Sequence, residues 1–236
     1  MTEIRLALIG MGKMGRALSL LAPERGFRVV AELDASEHAQ RAVTRESLGP
    51  ADVAIEFTEP GAAPANIRAC IAADCPVVVG TTGWYGDLPA LRAEVLLANG
   101  AMLAAPNFSV GVAVFERVVA EAARMFAAVP GFDAHLVETH HNQKRDAPSG
   151  TAGTLARAAS SGLGYAVPIT SVRVGSVPGT HELIFDAPFE QVRLTHEARD
   201  RRVFAEGALV AARWLVGRRG VFTMQDVLST PGSPAR

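Results

Sequence analysis

The stretch IRLALIGMGKMG, Ile4 to Gly15, decides how the first half of the chain is read. Ile4 to Ile9 is a short apolar run rich in branched residues, which reads as a buried strand. Gly10, Gly12 and Gly15 follow at once, and the helix-friendly RALSLLAPE comes next, so the order is strand, glycine turn, helix. In that order Gly10 permits the tight turn, Gly12 lets backbone approach a pyrophosphate, and Gly15 lets the helix pack closely on the strand. A second strand, Phe27 to Leu33, ends at Asp34, nineteen residues past Gly15. An acid there is placed to accept the ribose hydroxyls of an adenine dinucleotide. Glu32 points to the opposite strand face and is the weaker ribose candidate.

Cofactor preference stays open on these residues. Asp34 favours a free 2′-hydroxyl, as in NADH, whereas Lys13 and Arg16 at the helix start would neutralise the 2′-phosphate of NADPH. Further strands are predicted over Asp52–Phe57, Pro76–Gly80 and Gly100–Ala104, with the helix AAPANIRACIAAD between the first two. Their carboxyl ends carry Phe57 and Thr58, then Gly80 and Thr82, then Ala105 and Phe108. That is the edge where open parallel sheets bind ligands. Phe57 and Phe108, taken singly, are equally readable as core aromatics.

After Ser109 a long apolar-periodic helix, VGVAVFERVVAEAARMFAAV, closes at Pro130-Gly131. Phe132 to His140 then has the branched, alternating character of a strand. It delivers the segment HHNQKRDAPSGTA, His140 to Ala152, to its end. His140 or His141 can exchange a proton near neutral pH. Lys144 can hold a carboxylate or stabilise an anion. Asp146-Ala-Pro148 breaks the chain into an extended turn. Ser149, Gly150 and Thr151 then start a helix whose N-cap and backbone N–H groups favour a bound anion. The bland alternative is a solvated polar loop.

Three further strands, Ile169–Gly175, His181–Asp186 and Phe189–His196, follow without an intervening helix, and a last helix over Arg202–Val216 is expected to return to the first domain. Alternating βα units followed by a run of strands predict an α/β Rossmann-type parallel sheet plus a second α+β domain with a mixed, mostly open sheet. The expected boundaries are 1–108, completed by 205–236, for the dinucleotide-binding domain, and 109–204 for the substrate-binding and oligomerisation domain. His38, His135, His181 and His196 lack chemical company and are given structural roles. Arg201 reads as a surface arginine, with a ligand contact as the alternative. The tail from Ser229 to Arg236 is expected to be mobile.

Composition narrows the function classes. The 236 residues are 49% hydrophobic with a formal charge of -1, and the sequence pI is about 6.6. That balance argues against a nucleic-acid partner recognised through many phosphates. Cys70 and Cys75 are the only cysteines and have no neighbouring histidines, so neither a disulfide nor a metal site is expected. Reduced thiols suit a cytoplasmic chain. The first residues turn apolar without a basic leader, and no run of 18 apolar residues occurs, so neither secretion nor a membrane span is expected.

Across both halves the sequence resembles the 4-hydroxy-tetrahydrodipicolinate reductase (dihydrodipicolinate reductase) family over nearly its whole length. The carriers are GMGKMG, EFT at Glu56 to Thr58, GTTG at 80–83, APNFSVGV at 105–112, and above all E-x-HHNQKRDAPSGTA from Glu138. The resemblance implies that His140 is the proton donor and Lys144 the second catalytic or carboxylate-binding residue. It further implies that His141, Ser149, Gly150 and Thr151 contact a cyclic dicarboxylate. Gly12, Lys13, Met14, Asp34, Gly80, Thr82, Ala105 and Phe108 fall on its cofactor-contacting positions and join Gly10, Gly15, Phe57 and Thr58, read above from the glycine turn and the strand exits, with NADH, NADPH or both as cofactor. A homotetramer built through the second sheet is implied as well. Two departures stand out: the glycine loop is one residue shorter than in some members, and alanine rather than arginine follows Asp34.

Overall fold

The computed structural model describes residues 3–34 and 43–229. Within these the chain forms two compact units, 1–109 with 204–236, and 110–203.

The first unit is built on the predicted strand–turn–helix. β1 (Ile4–Ile9) runs into α1 (Lys13–Leu21), and the chain continues through β2 (Phe27–Leu33), α2 (Arg45–Leu48), β3 (Val53–Glu56), α3 (Ala63–Ala72), β4 (Val77–Val79), α4 (Leu88–Leu97) and β5 (Ala101–Ala104). The central strands β3 and β4 are short and buried on both faces, as parallel strands covered by helices are. Val77, Val78 and Val79 are fully buried, as are Leu6, Ala7, Val53 and Ala54.

The second unit holds α5 (Val110–Ala127), β6 (Asp133–His140), α6 (Gly150–Leu163), β7 (Ile169–Arg173), β8 (Thr180–Ala187) and β9 (Glu190–Glu197). Its sheet has the order β7-β6-β8-β9. It is mixed: β6 pairs β7 in parallel and β8 antiparallel, and β8 pairs β9 antiparallel. Side chains alternate along β6, so Ala134, Leu136, Glu138 and His140 share the buried face. Leu136, Leu183 and Phe185 pack there against Val119, Ala123, Leu155 and Ala159 from the two helices. Phe126 stacks on Phe185 with ring centroids 4.1 Å apart.

The chain then returns through α7 (Arg202–Leu215) to β10 (Gly220–Phe222) and α8 (Met224–Ser229). β10 adds a sixth strand to the first sheet, whose order is β10-β5-β4-β3-β1-β2 with every pairing parallel. β10 and α8 were not foreseen in the sequence. Ser229, expected in a mobile tail, closes α8, and the rest of that tail lies outside the described residues, as does His38. Phe189, expected to open the last strand, instead sits fully exposed in the turn before it. Cys70 and Cys75 are buried free thiols. No helix among the described residues is long and apolar enough to cross a membrane.

Candidate active site

The glycine turn borders a cleft. Gly10 has φ +93°, and its N–H donates to the Leu33 carbonyl at 2.7 Å. A Cβ at Gly10 would strike the Phe57 carbonyl and one at Gly15 the Gly10 carbonyl, so these two positions admit only glycine, while one at Gly80 would displace the Phe57 ring. Gly12 differs: nothing lies within 4 Å of where its Cβ would be. It opens α1 without any side-chain acceptor as a cap. In front of it is a space of about 450 Å³ lined by Gly12, Lys13, Met14, Phe57, Thr58, Pro60, Gly80, Thr81 and Thr82. Beneath, Glu56 is fully buried. It accepts hydrogen bonds from the Thr58 backbone N–H at 3.1 Å and from the Thr58 hydroxyl. The Thr81 hydroxyl oxygen accepts a second bond from Thr58 N–H at 2.7 Å, which ties the β3 and β4 exits together.

Ala105 and Phe108 are buried and do not line this cleft. Phe108 meets Phe57 edge-on, with centroids 5.9 Å apart. Asp34 follows β2 directly, is half-buried and also lies outside the lining. Arg16 turns its Nε toward the Met11 carbonyl at 3.1 Å, and Glu32 accepts from the Ser19 hydroxyl at 2.5 Å.

In the second unit the end of β6 gathers a polar cluster. Glu138 and His140 lie two residues apart on one strand, hence on one face, and the imidazole Nδ1 is hydrogen-bonded to Glu138 Oε2. The other oxygen, Oε1, accepts from Arg173 Nη2 at 2.7 Å and from the Ser149 backbone N–H at 3.3 Å. Burial works to raise the Glu138 carboxyl, but hydrogen bonds from Arg173, Ser171 and His140 outweigh it and hold the pKa at about 2. An ionised carboxylate only accepts, so His140 carries its proton on Nδ1 and leaves Nε2 as the second nitrogen. Burial lowers the His140 pKa, the carboxylate of Glu138 opposes that, and Lys144 and Arg173 reinforce it.

His181, given a structural role from sequence for want of chemical company, has that company here: it lies in this cluster. The β6–β8 register sets it opposite Glu138, and its ring meets His140 edge-on at 5.2 Å. Its Nε2 lies 3.3 Å from the Ser149 hydroxyl. Burial, then the neighbouring His140 and His196, push its pKa down to about 4. Polar atoms of Glu138, His140 and His181 come within 4.8 Å of one another. Both Glu138 oxygens are already engaged and Arg173 shares the same carboxylate, so the trio reads as a hydrogen-bonded network. His135 stands apart, bonded to Thr170 at 2.7 Å.

The loop after β6 positions the cations. Lys144 Nζ sits 2.8 and 3.0 Å from the two Asp146 oxygens, so the amine expected to hold a ligand carboxylate holds one from its own loop. Ser149 caps α6, its hydroxyl accepting from the Ala152 N–H at 3.1 Å. That hydroxyl is buried and engaged within the fold. Gly150 is exposed with open space where a Cβ would be. His141 and Thr151 are half-buried beside it in sequence, and Arg201 is exposed just before α7.

Family models for dihydrodipicolinate reductase match both parts of the chain, the N-terminal one over residues 4–108 and the C-terminal one over 111–228. The chain belongs to the dihydrodipicolinate reductase family. Relatives named 4-hydroxy-tetrahydrodipicolinate reductase include that of Christiangramia forsetii, 37% identical with 96% of this chain and 98% of the relative covered. Another, from Stenotrophomonas maltophilia, is 39% identical with the same two coverages. Among solved structures, a dipicolinate-bound dihydrodipicolinate reductase from Paenisporosarcina sp. TG-14 is 22% identical with a TM-score of 0.75. It covers 94% of this chain and 97% of that one, and the fold is therefore shared.

Several residues of the cluster and the cleft carry no site role in the sequence reading: Glu138, Arg173, His181 and Gly179 in the second unit, and Glu56, Pro60 and Thr81 at the cleft. Gly179 backs the His140 ring, since a Cβ there would fall 2.9 Å from Nε2. Glu138 was detectable, standing two residues before a histidine on an alternating strand. Arg173, Gly179 and His181 come from other strands and carry no local signal.

Proposed function

We propose that this chain catalyses the NAD(P)H-dependent reduction of 4-hydroxy-tetrahydrodipicolinate, through its dehydrated dihydro form, to tetrahydrodipicolinate in lysine and diaminopimelate biosynthesis. The observation that carries the reading is the His140 cluster: a buried imidazole on an ionised carboxylate, with a lysine four residues on and a helix N-terminus beyond. Membership of the reductase family supports the same chemistry.

The open space in front of Gly12 and the uncapped start of α1 fit a dinucleotide pyrophosphate, which would be held by backbone there and by Lys13. Gly80 and Thr82, with Phe57 and Thr58, line the same cleft. When bound, the nicotinamide supplies a hydride to the conjugated C=N/C=C system of the substrate. Electron density then accumulates on the substrate ring, and His140 delivers the proton that completes the reduction. Lys144 pairs with a substrate carboxylate, with Gly150 and Thr151 backbone N–H groups as further donors. The proton donor and the cation act on charge that develops during reaction, which is where such groups lower a barrier. The two negative charges of the substrate also favour the imidazolium, opposing the burial that lowers the His140 pKa.

Asp34 supports NADH through its carboxylate, and Lys13 supports NADPH. Arg16, directed at Met11, contributes less to a 2′-phosphate than the sequence suggested. A cytoplasmic location, in keeping with the free thiols Cys70 and Cys75, and a homotetramer assembled through the four-stranded sheet belong to the same proposal. The test is loss of the reduced nicotinamide absorbance, with NADH and NADPH separately, on substrate made by the preceding synthase. Substrate-dependent oxidation of at least one cofactor is expected. No oxidation of either, by folded protein and fresh substrate, would overturn the reading.

A further inference from the structure

We infer that Glu138, anchored by Arg173, is a positioning residue that fixes the tautomer of His140 and stabilises its imidazolium form. The inference rests on the proposed role of His140 as proton donor, and the geometry for it is independent of any ligand.

Glu138 is fully buried and spends its two oxygens on different tasks. Oε2 takes the His140 Nδ1 proton. Oε1 takes Arg173 Nη2 and Ser149 N–H. The β6–β7 register places Arg173 directly beside His140, and Arg173 Nη2 reaches on to the Asp146 carbonyl at 2.6 Å. One guanidinium thus holds both the carboxylate that orients the imidazole and the loop that carries Lys144. A carboxylate this buried, with only an imidazole as partner, would take up a proton rather than remain charged. Arg173 and Ser149 N–H keep it an acceptor, and an acceptor on Nδ1 dictates that any proton gained by His140 is gained at Nε2.

The groups facing His140 are Glu138 on its own strand, Arg173 from β7, His181 from β8 and Lys144 from the following loop. Glu138 alone among them favours the protonated ring; Lys144 and Arg173 oppose it, and so does His181 whenever it is charged. Loss of the Glu138 charge therefore leaves the imidazolium of the ligand-free protein without its attractive partner among the described residues.

Glu138→Gln tests this. The expected result is a kcat at pH 7.5 lower by about tenfold or more, with the alkaline fall of the pH profile moved to lower pH by about one unit or more. The KM for the nicotinamide cofactor should stay within about twofold, because uniform cofactor binding is untouched. Nitrogen NMR of His140 in the ligand-free protein should show Nδ1 protonated in the wild type and a shift toward the other tautomer in the variant. Glu138→Asp, which keeps the charge, should restore part of the pH profile. Arg173→Lys is the milder second variant if Glu138→Gln does not fold, and it should move the profile the same way by less. A wild-type pH profile together with a wild-type tautomer in these variants overturns the inference. Were the wild type to oxidise no cofactor, the reductase reading would fail, while the tautomer measurement would still decide the role of Glu138.

Discussion

Acidification should weaken the second unit selectively, and the size of the effect follows from His181. Its ring is 4% exposed, and its pKa is held at about 4 against an ordinary 6.5, first by burial and then by the neighbouring histidines. Between those two values the unfolded chain binds a proton that the folded chain refuses. Stability from this group is therefore fully present above pH 6.5 and is lost as pH falls toward 4. A difference of about 2.5 units corresponds to up to about 3 kcal/mol. His140 and His196, also lowered by burial, act in the same direction. Glu138, held at about 2, adds a further loss of the same sign below pH 4.5. Hydrogen exchange at the β6 and β8 amides of Leu136, Leu183 and Phe185 reads this unit. Trp84 and Trp214 fluorescence reads the other one, since both tryptophans lie in the first unit. Opening free energies of the β6 and β8 amides should drop by at least about 3 kcal/mol between pH 7 and pH 4. Most of the part above pH 4.5 should vanish in His181→Gln. Amides of β6 and β8 whose protection is independent of pH over this range, or a His181→Gln chain with the wild-type slope, would refute the reasoning.

Lys144→Ala should raise the KM for the dicarboxylate by about tenfold to a hundredfold, the worth of a charge-assisted hydrogen bond. Asp146→Asn should lower it by up to about fivefold, because an exposed ion pair that competes for Lys144 is worth at most about 1 kcal/mol; steady-state kinetics on both variants checks the pair, and a raised KM in Asp146→Asn contradicts the competition. Gly179→Ala should cost about tenfold to a hundredfold in kcat, since the new methyl pushes on a ring that Glu138 holds in place. Full turnover in that variant would mean that His140 Nε2 is not needed where it stands.

Much of the architecture was legible because local signals agreed with each other. Apolar Ile4–Ile9, the glycines after it and Asp34 at the next strand end specify one unit of a parallel sheet without help from elsewhere. The alternation that ends at His140, and Ser149 before a run of small helix formers, likewise located β6 and the start of α6. What was hidden depends on register. His181 meets Glu138 only because β8 pairs with β6, and Arg173 flanks His140 only because β7 does; neither has a sequence neighbour that betrays it. β10 was missed for a different reason. Three residues between Arg219 and Thr223 are too few for a period to be seen, and they become a strand only by docking on β5. Lys144 was read as an open cation although its competitor, Asp146, stands two residues away. A turn that brings both side chains to the same side is needed before that proximity matters.

If His140 supplies the proton that completes the reduction, His140→Gln removes the donor while keeping a polar side chain of similar size. Single-turnover and steady-state rates with the preferred nicotinamide should fall by about two to four orders of magnitude, with the cofactor KM little changed. A variant that turns over at the wild-type rate would contradict the account.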